Sequence, residues 1–148
     1  LGSAGPSLSK GYESVGVEHA AIHVKAAKHD LARAKARLRE AKATLSDTQR
    51  YVGAYGVNVG RWVWLARDVG WPRDELGTLM YVIERESGGS PGAENTAGSG
   101  ASGLLQLMPG WWAGDYYDFP NFDPHVPRLN LRYGYLGWKV DRWQPWSL

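Results

Sequence analysis

The chain has 148 residues, room for one compact domain with an appended arm. Its formal net charge of +2 is unevenly spread, with 9 Lys and Arg against 5 Asp and Glu in residues 1–50, and 8 against 10 in residues 51–148. The slightly acidic later part argues against a nucleic-acid-binding face there; the lack of Cys excludes disulfides and thiol chemistry, and no window is apolar enough for a membrane helix.

Leu1-Gly2-Ser3-Ala4-Gly5-Pro6 has no Met, and residues 1–14 read as a flexible segment, a cloning remnant or a cut from a longer polypeptide. From 15 to 56 the sequence predicts one long helix. Val17, Val24, Leu31, Leu38, Leu45 and Val52 recur every seven residues, and Ala20, Ala27, Ala34, Ala41 and Thr48 follow each by three. Charged residues of high helix propensity lie between them. Such a stripe needs a cover: another copy, the rest of this chain, or other parts of a parent protein. His19 and His23 have the spacing of paired metal ligands, but no carboxylate or third His joins them, so no metal is expected.

Residues 57–148 read as a second, helical domain. Trp62, Leu65, Ala66 and Val69 form a short amphipathic helix closed by Gly70. Pro72 sits in the first turn of the next helix, where Asp74 and Glu75 complement its dipole. Leu76, Leu79, Met80 and Ile83 give this helix a buried stripe up to Ser87, and Gly88-Gly89 stop it. A Gly/Ser-rich turn is expected to feed a short helix carrying Gln106, then an aromatic loop runs through Pro127. A last helix spans Arg128 to Arg142, although Gly134 and Gly137 weaken it. No segment shows sustained alternation, so the class is all-α.

Chemistry concentrates at Glu86. On the helical wheel it falls at the edge of the buried stripe, while Arg85 points the opposite way to solvent and Glu84 takes the mirror-image edge. A carboxyl partly shielded from water by an apolar rim suits a general acid; an ordinary surface Glu at a helix end is the plain alternative. Ser87 either hydrogen-bonds local backbone or simply ends the helix. Gly100-Ala101-Ser102-Gly103 lets backbone approach a bulky ligand, and Gln106 offers donors and acceptors for a sugar; the same run also reads as only a tight turn. Trp111, Trp112, Tyr116 and Tyr117 are candidate saccharide platforms, with core packing the alternative for any one of them.

The Glu86-Ser87 pair and the Gly100-Ala101-Ser102-Gly103-Leu104-Leu105-Gln106 run together resemble the hallmark of the soluble lytic transglycosylase and goose-type lysozyme group, over roughly Arg61 to Leu148. The resemblance implies a lysozyme-like helical domain that cuts peptidoglycan glycan strands without a cofactor. Glu86 would be its acid, and Ser102 and Gln106 would line the glycan cleft. The family places a Tyr from a late Ala-x-Tyr-Asn-Ala-Gly segment near the acid. This chain has no such segment and ends with Trp143-Gln144-Pro145-Trp146-Ser147. Tyr135, in a Tyr-Leu step similar to the family's, is the preferred phenol, with Tyr133 the alternative.

A single acid implies a lytic transglycosylase, which forms 1,6-anhydromuramyl ends. A goose-type muramidase would need a second carboxylate, for which Asp115, Asp118 and Asp123 are the candidates. A non-catalytic glycan-binding or assembly module is the third reading. Heptads beside such a domain look similar to wall-degrading modules of phage tail proteins, so an extracellular or virion-associated setting at the bacterial wall is expected, with no nucleic acid and no membrane span.

Overall fold

The computed structural model describes residue 2 and residues 7–148, with side chains from residue 11 onward. Residues 1 and 3–6 of the expected N-terminal segment lie outside the described residues. All regular structure among the described residues is helical, as the sequence patterns predict. Only two isolated bridges, Glu94 with Ser102 and Ser102 with Leu107, have β geometry. No helix is long and apolar enough to cross a membrane.

Helix α1 runs from Ser7 to Tyr55, its interior carrying the heptads. By contacts the chain divides into two units, Leu1–Lys42 and Ala43–Leu148. In the first, every residue from 11 to 42 is exposed. Arg33 pairs with Asp30 at 2.6 Å, and the His19 and His23 rings meet edge to face.

The second unit begins with the last three turns of α1. Here Thr44, Asp47, Thr48, Tyr51 and Tyr55 become partly buried. Asp47 accepts a hydrogen bond from Arg73 at 2.7 Å, and Gly60 packs so closely on the Val52 backbone that a side chain would collide with it. The other helices are α2 (Val57–Gly60), α3 (Val63–Val69), α4 (Leu76–Ser87), α5 (Pro109–Trp112) and α6 (Pro127–Asp141), with 3-10 turns at Arg73–Glu75 and Gln144–Trp146. Gly70 caps α3 in the left-handed conformation at φ 114, as its position predicts. Pro72 differs from expectation: it is extended and precedes a 3-10 turn, and α4 starts only at Leu76.

The core gathers Leu76, Leu79, Met80, Val82 and Ile83 of α4 around Trp71, Leu104, Leu105 and Leu131. Trp71 is fully buried; its indole N–H donates to the Leu131 carbonyl at 2.9 Å, and its ring stacks on Trp143 at 5.4 Å. Gly134 and Gly137, which weaken α6 on propensity, are where Leu105 and Trp111 press onto its backbone; a Cβ at either position would strike those side chains. The helix gives up propensity at two positions and gains close packing of two large side chains.

Candidate active site

Helix α4 delivers Glu86 one residue before its end. Gly88, left-handed at φ 61, closes the helix and donates its N–H to the Glu84 carbonyl. Ser87 turns inward: its hydroxyl reaches the Leu104 carbonyl at 2.8 Å and the Ile83 carbonyl at 3.1 Å, and accepts from the Gly89 N–H. It therefore joins the end of the acid-bearing helix to the following motif, a larger role than a helix stop. Glu84 is exposed and lines neither of the two cavities described below.

The motif itself is a turn. The expected helix around Gln106 is absent: Ser102 and Leu107 exchange two backbone hydrogen bonds of 2.9 and 3.0 Å across Gly103–Gln106, and Gln106 is left-handed at φ 48. The helix fails because Gly103 and Gln106 both take positive φ, which breaks the i to i−4 ladder. Its short helical successor, α5, starts only at Pro109. Asn130, fully buried on α6, fixes the turn from behind; it accepts from the Leu105 N–H at 3.0 Å and donates to the Ser102 and Pro124 carbonyls at 3.1 and 2.9 Å. Gly103 is required there, because a Cβ would collide with the Pro124 carbonyl and the Asn130 amide.

Glu86 opens onto a cavity of about 310 Å³ lined by Arg85, Asn95, Ser99, Gln106, Trp146 and neighbours. A second cavity of about 530 Å³ is lined by Trp111, Asp115, Tyr116, Tyr117 and Asp141 among others. Gln106, Met108, Pro145 and Trp146 line both, so the two form adjoining stretches of one cleft. Gln106 spends its amide N–H groups on the Ala93 and Gly103 carbonyls, each at 3.1 Å, and this arrangement holds the side chain at the junction.

Arg85 is exposed, as expected, yet its head folds back onto Glu86. Its Nε and Nη2 donate to Glu86 Oε1 at 3.0 and 2.7 Å, and Nη2 also donates to the Trp146 carbonyl. At the frayed end of a helix, the long flexible stem lets adjacent side chains meet, which the wheel does not anticipate. Hydrogen bonding to Glu86 holds the guanidinium above its ordinary pKa, against a smaller opposing cost of burial. No protein group among the described residues hydrogen-bonds Glu86 Oε2, and the Glu86 side chain is 26% exposed.

The other candidates divide. Trp111, Tyr116 and Tyr117 line the larger cavity, Trp111 from a nearly buried position and Tyr116 half exposed. Trp112 is partly buried against the core and lines neither cavity. Ser102 is buried inside the turn, where its hydroxyl donates to the Gly100 carbonyl at 2.9 Å. Tyr135 lies against Trp71 and Trp138, with ring centroids at 5.6 and 5.9 Å, away from both cavity walls. Tyr133 stacks on Phe122. Of the three expected carboxylates, Asp115 lines the larger of these two cavities, and Asp118 and Asp123 line neither.

The cleft also holds groups to which the sequence assigns no site role, among them Arg85, Asn95, Asp141 and the C-terminal run Pro145-Trp146-Ser147. Asp141 accepts the Tyr117 hydroxyl at 2.6 Å; burial first, then this bond, push the phenol up to about 12. The Trp146 indole donates to the Leu105 carbonyl at 2.9 Å, so the run that stands where a family Tyr segment is expected is fastened to the motif. That substitution was itself a signal that the run belongs to the cleft. Among the described residues no group of three or more His, Asp or Glu is placed to hold a metal ion.

No curated protein and no solved structure matches the chain. The family model described as "Transglycosylase SLT domain" matches residues 71–119, a stretch that contains Glu86, Gln106 and the Trp111–Tyr117 aromatics. Residues 71–119 are thus similar to the transglycosylase SLT domain family, whose members act on the glycan strands of peptidoglycan.

Proposed function

We propose that the second unit cleaves the bond between N-acetylmuramic acid and N-acetylglucosamine in peptidoglycan as a single-carboxylate lytic transglycosylase, with Glu86 as the acid. The observation that carries this reading is that Glu86 is the one carboxylate among the residues lining its cavity. A hydrolase of this kind flanks the scissile bond with two.

In this mechanism Glu86 gives its proton to the glycosidic oxygen through Oε2, the oxygen free of Arg85, as the C1–O bond breaks. The muramyl N-acetyl group shares the charge that develops at C1. The Glu86 carboxylate then takes the proton of the sugar's own 6-hydroxyl as that oxygen bonds to C1. The products are a 1,6-anhydromuramyl end and a free 4-hydroxyl; no water is consumed and Glu86 regains its proton. Gln106 at the junction and the Tyr116 and Tyr117 rings beside it hold the strand, the exposed Tyr116 face stacking on a sugar and the buried Trp111 backing the wall. The setting is the bacterial cell wall, reached from outside the cell or from a virion, with the heptad helix joining a second copy or a parent protein.

Asp115 and Asp141, on the adjoining cavity, favour a muramidase as the second reading, in which one of them positions water. Purified chain added to a suspension of cell walls tests the proposal. Clearing that disappears in Glu86→Gln supports it. A Glu86→Gln variant that clears at the wild-type rate contradicts it, and a folded wild-type chain that binds walls without clearing them leaves a glycan-binding module.

A further inference from the structure

Within the first unit, the heptad seam is exposed along its described residues. Val17 is 69% exposed, and Val24, Leu31 and Leu38 are each 54% exposed, all on one stripe, with exposed Ala20, Ala27, Ala34 and Ala41 beside them. A stripe of large aliphatics held in water along several turns loses burial energy at every layer. The spacing of this stripe says what covers it.

We infer that the stripe pairs with the same stripe of a second copy of this chain, running antiparallel. When two such helices pack antiparallel, each first-seam residue meets a second-seam residue of the other copy. Centred between residues 31 and 34, the register sets Leu31 against the partner's Ala34, Leu38 against the partner's Ala27 and Val24 against the partner's Ala41. The two-fold axis repeats all three, so six successive layers each join one large side chain to one alanine. Layer volume is then even along the seam and the helices approach closely throughout.

A parallel pair does the opposite. Leu31 meets Leu31 and Ala34 meets Ala34, so leucine layers hold the axes apart and alanine layers between them are left short of contacts. Flanking charge does not separate the two orientations. Antiparallel packing brings Asp30 to the partner's Arg37 and Lys28 to the partner's Lys35; parallel packing brings Asp30 to the partner's Lys35 and Arg37 to the partner's Lys42. Each has one attractive and one repulsive set, so the layers decide.

Light scattering on the full chain at micromolar concentration gives twice the chain mass if this is right, and Leu31→Glu/Leu38→Glu gives the single-chain mass with helical circular dichroism retained. A wild-type chain of single mass, or a trimer, overturns the inference. Orientation is read by mixing the single variants Val24→Cys and Ala41→Cys, each the chain's sole cysteine, under mild oxidation with diamide. The antiparallel register yields the mixed 24–41 disulfide. Dominant 24–24 and 41–41 products mean a parallel pair and overturn it.

Discussion

Glu86 shares one of its oxygens with its chain neighbour and leaves the other to the cavity. Arg85 donates only, so Oε1 is held as an acceptor while Oε2 is free for proton transfer. Glu86→Gln is nearly isosteric but has no proton to give; turnover on isolated cell walls should fall by at least about 10²-fold while binding to insoluble peptidoglycan persists. Loss of binding alongside activity would assign Glu86 to strand recognition instead. Tyr117 supplies a pH test of the neighbouring wall. Its phenol is raised to about 12 in the folded chain, from the ordinary value of 10.0. A group that holds its proton more tightly when folded contributes stability that is complete below the unfolded value and lost as pH climbs through the folded one. Denaturant midpoints should therefore decline between about pH 10 and about pH 12, and the decline should be shallower in Tyr117→Phe; identical slopes would mean that neither burial nor Asp141 raises the phenol in the folded chain.

At the scale of elements, the ends of α3 and α4 and the span of α6 are legible because they rest on local signals, a capping Gly or an apolar stripe of helical period, whereas Pro72 signals a start for α4 that the 3-10 turn Arg73–Glu75 delays to Leu76. The turn from Gly103 to Gln106 was not, because its conformation is imposed by Asn130, 24 residues beyond Gln106 in sequence and anonymous in any local pattern. Tyr135 was drawn toward the acid by a two-residue likeness, whereas Trp71 and Trp138 take it into the aromatic cluster. Glu86 and Gln106 were legible as motif residues, and Arg85 was lost to an idealised wheel. Asn130→Leu is predicted to cost roughly 1–3 kcal/mol for each buried backbone group it leaves unpaired, and to loosen the turn that carries Gln106. Gly103→Ala, strained at φ 79 and facing a collision, should be similarly damaging. Urea unfolding measures both; a loss below about 0.5 kcal/mol, the ordinary range for surface substitutions, would show that the turn holds its shape without them.

For the whole molecule, the division at Lys42 and Ala43 separates the exposed heptads of the first unit from the turns of α1 that belong to the second. Removing residues 1–42 should leave a soluble, cooperatively folding domain with cell-wall clearing intact. Removing 1–55 also takes away Asp47, Tyr51 and Tyr55, which contact Arg73 and the core, and should lower the melting temperature by several degrees (a change of about 1 kcal/mol moves a domain this size by about 4–8 °C). Equal melting temperatures would place the domain boundary after Tyr55 instead. Mass spectrometry of muropeptides released from purified peptidoglycan by the wild-type chain reads whether one carboxylate works alone. Fragments lighter by one water than hydrolysed ends, carrying 1,6-anhydromuramyl residues, are the predicted result; reducing ends would contradict it and direct attention to Asp115 and Asp141 on the adjoining cavity.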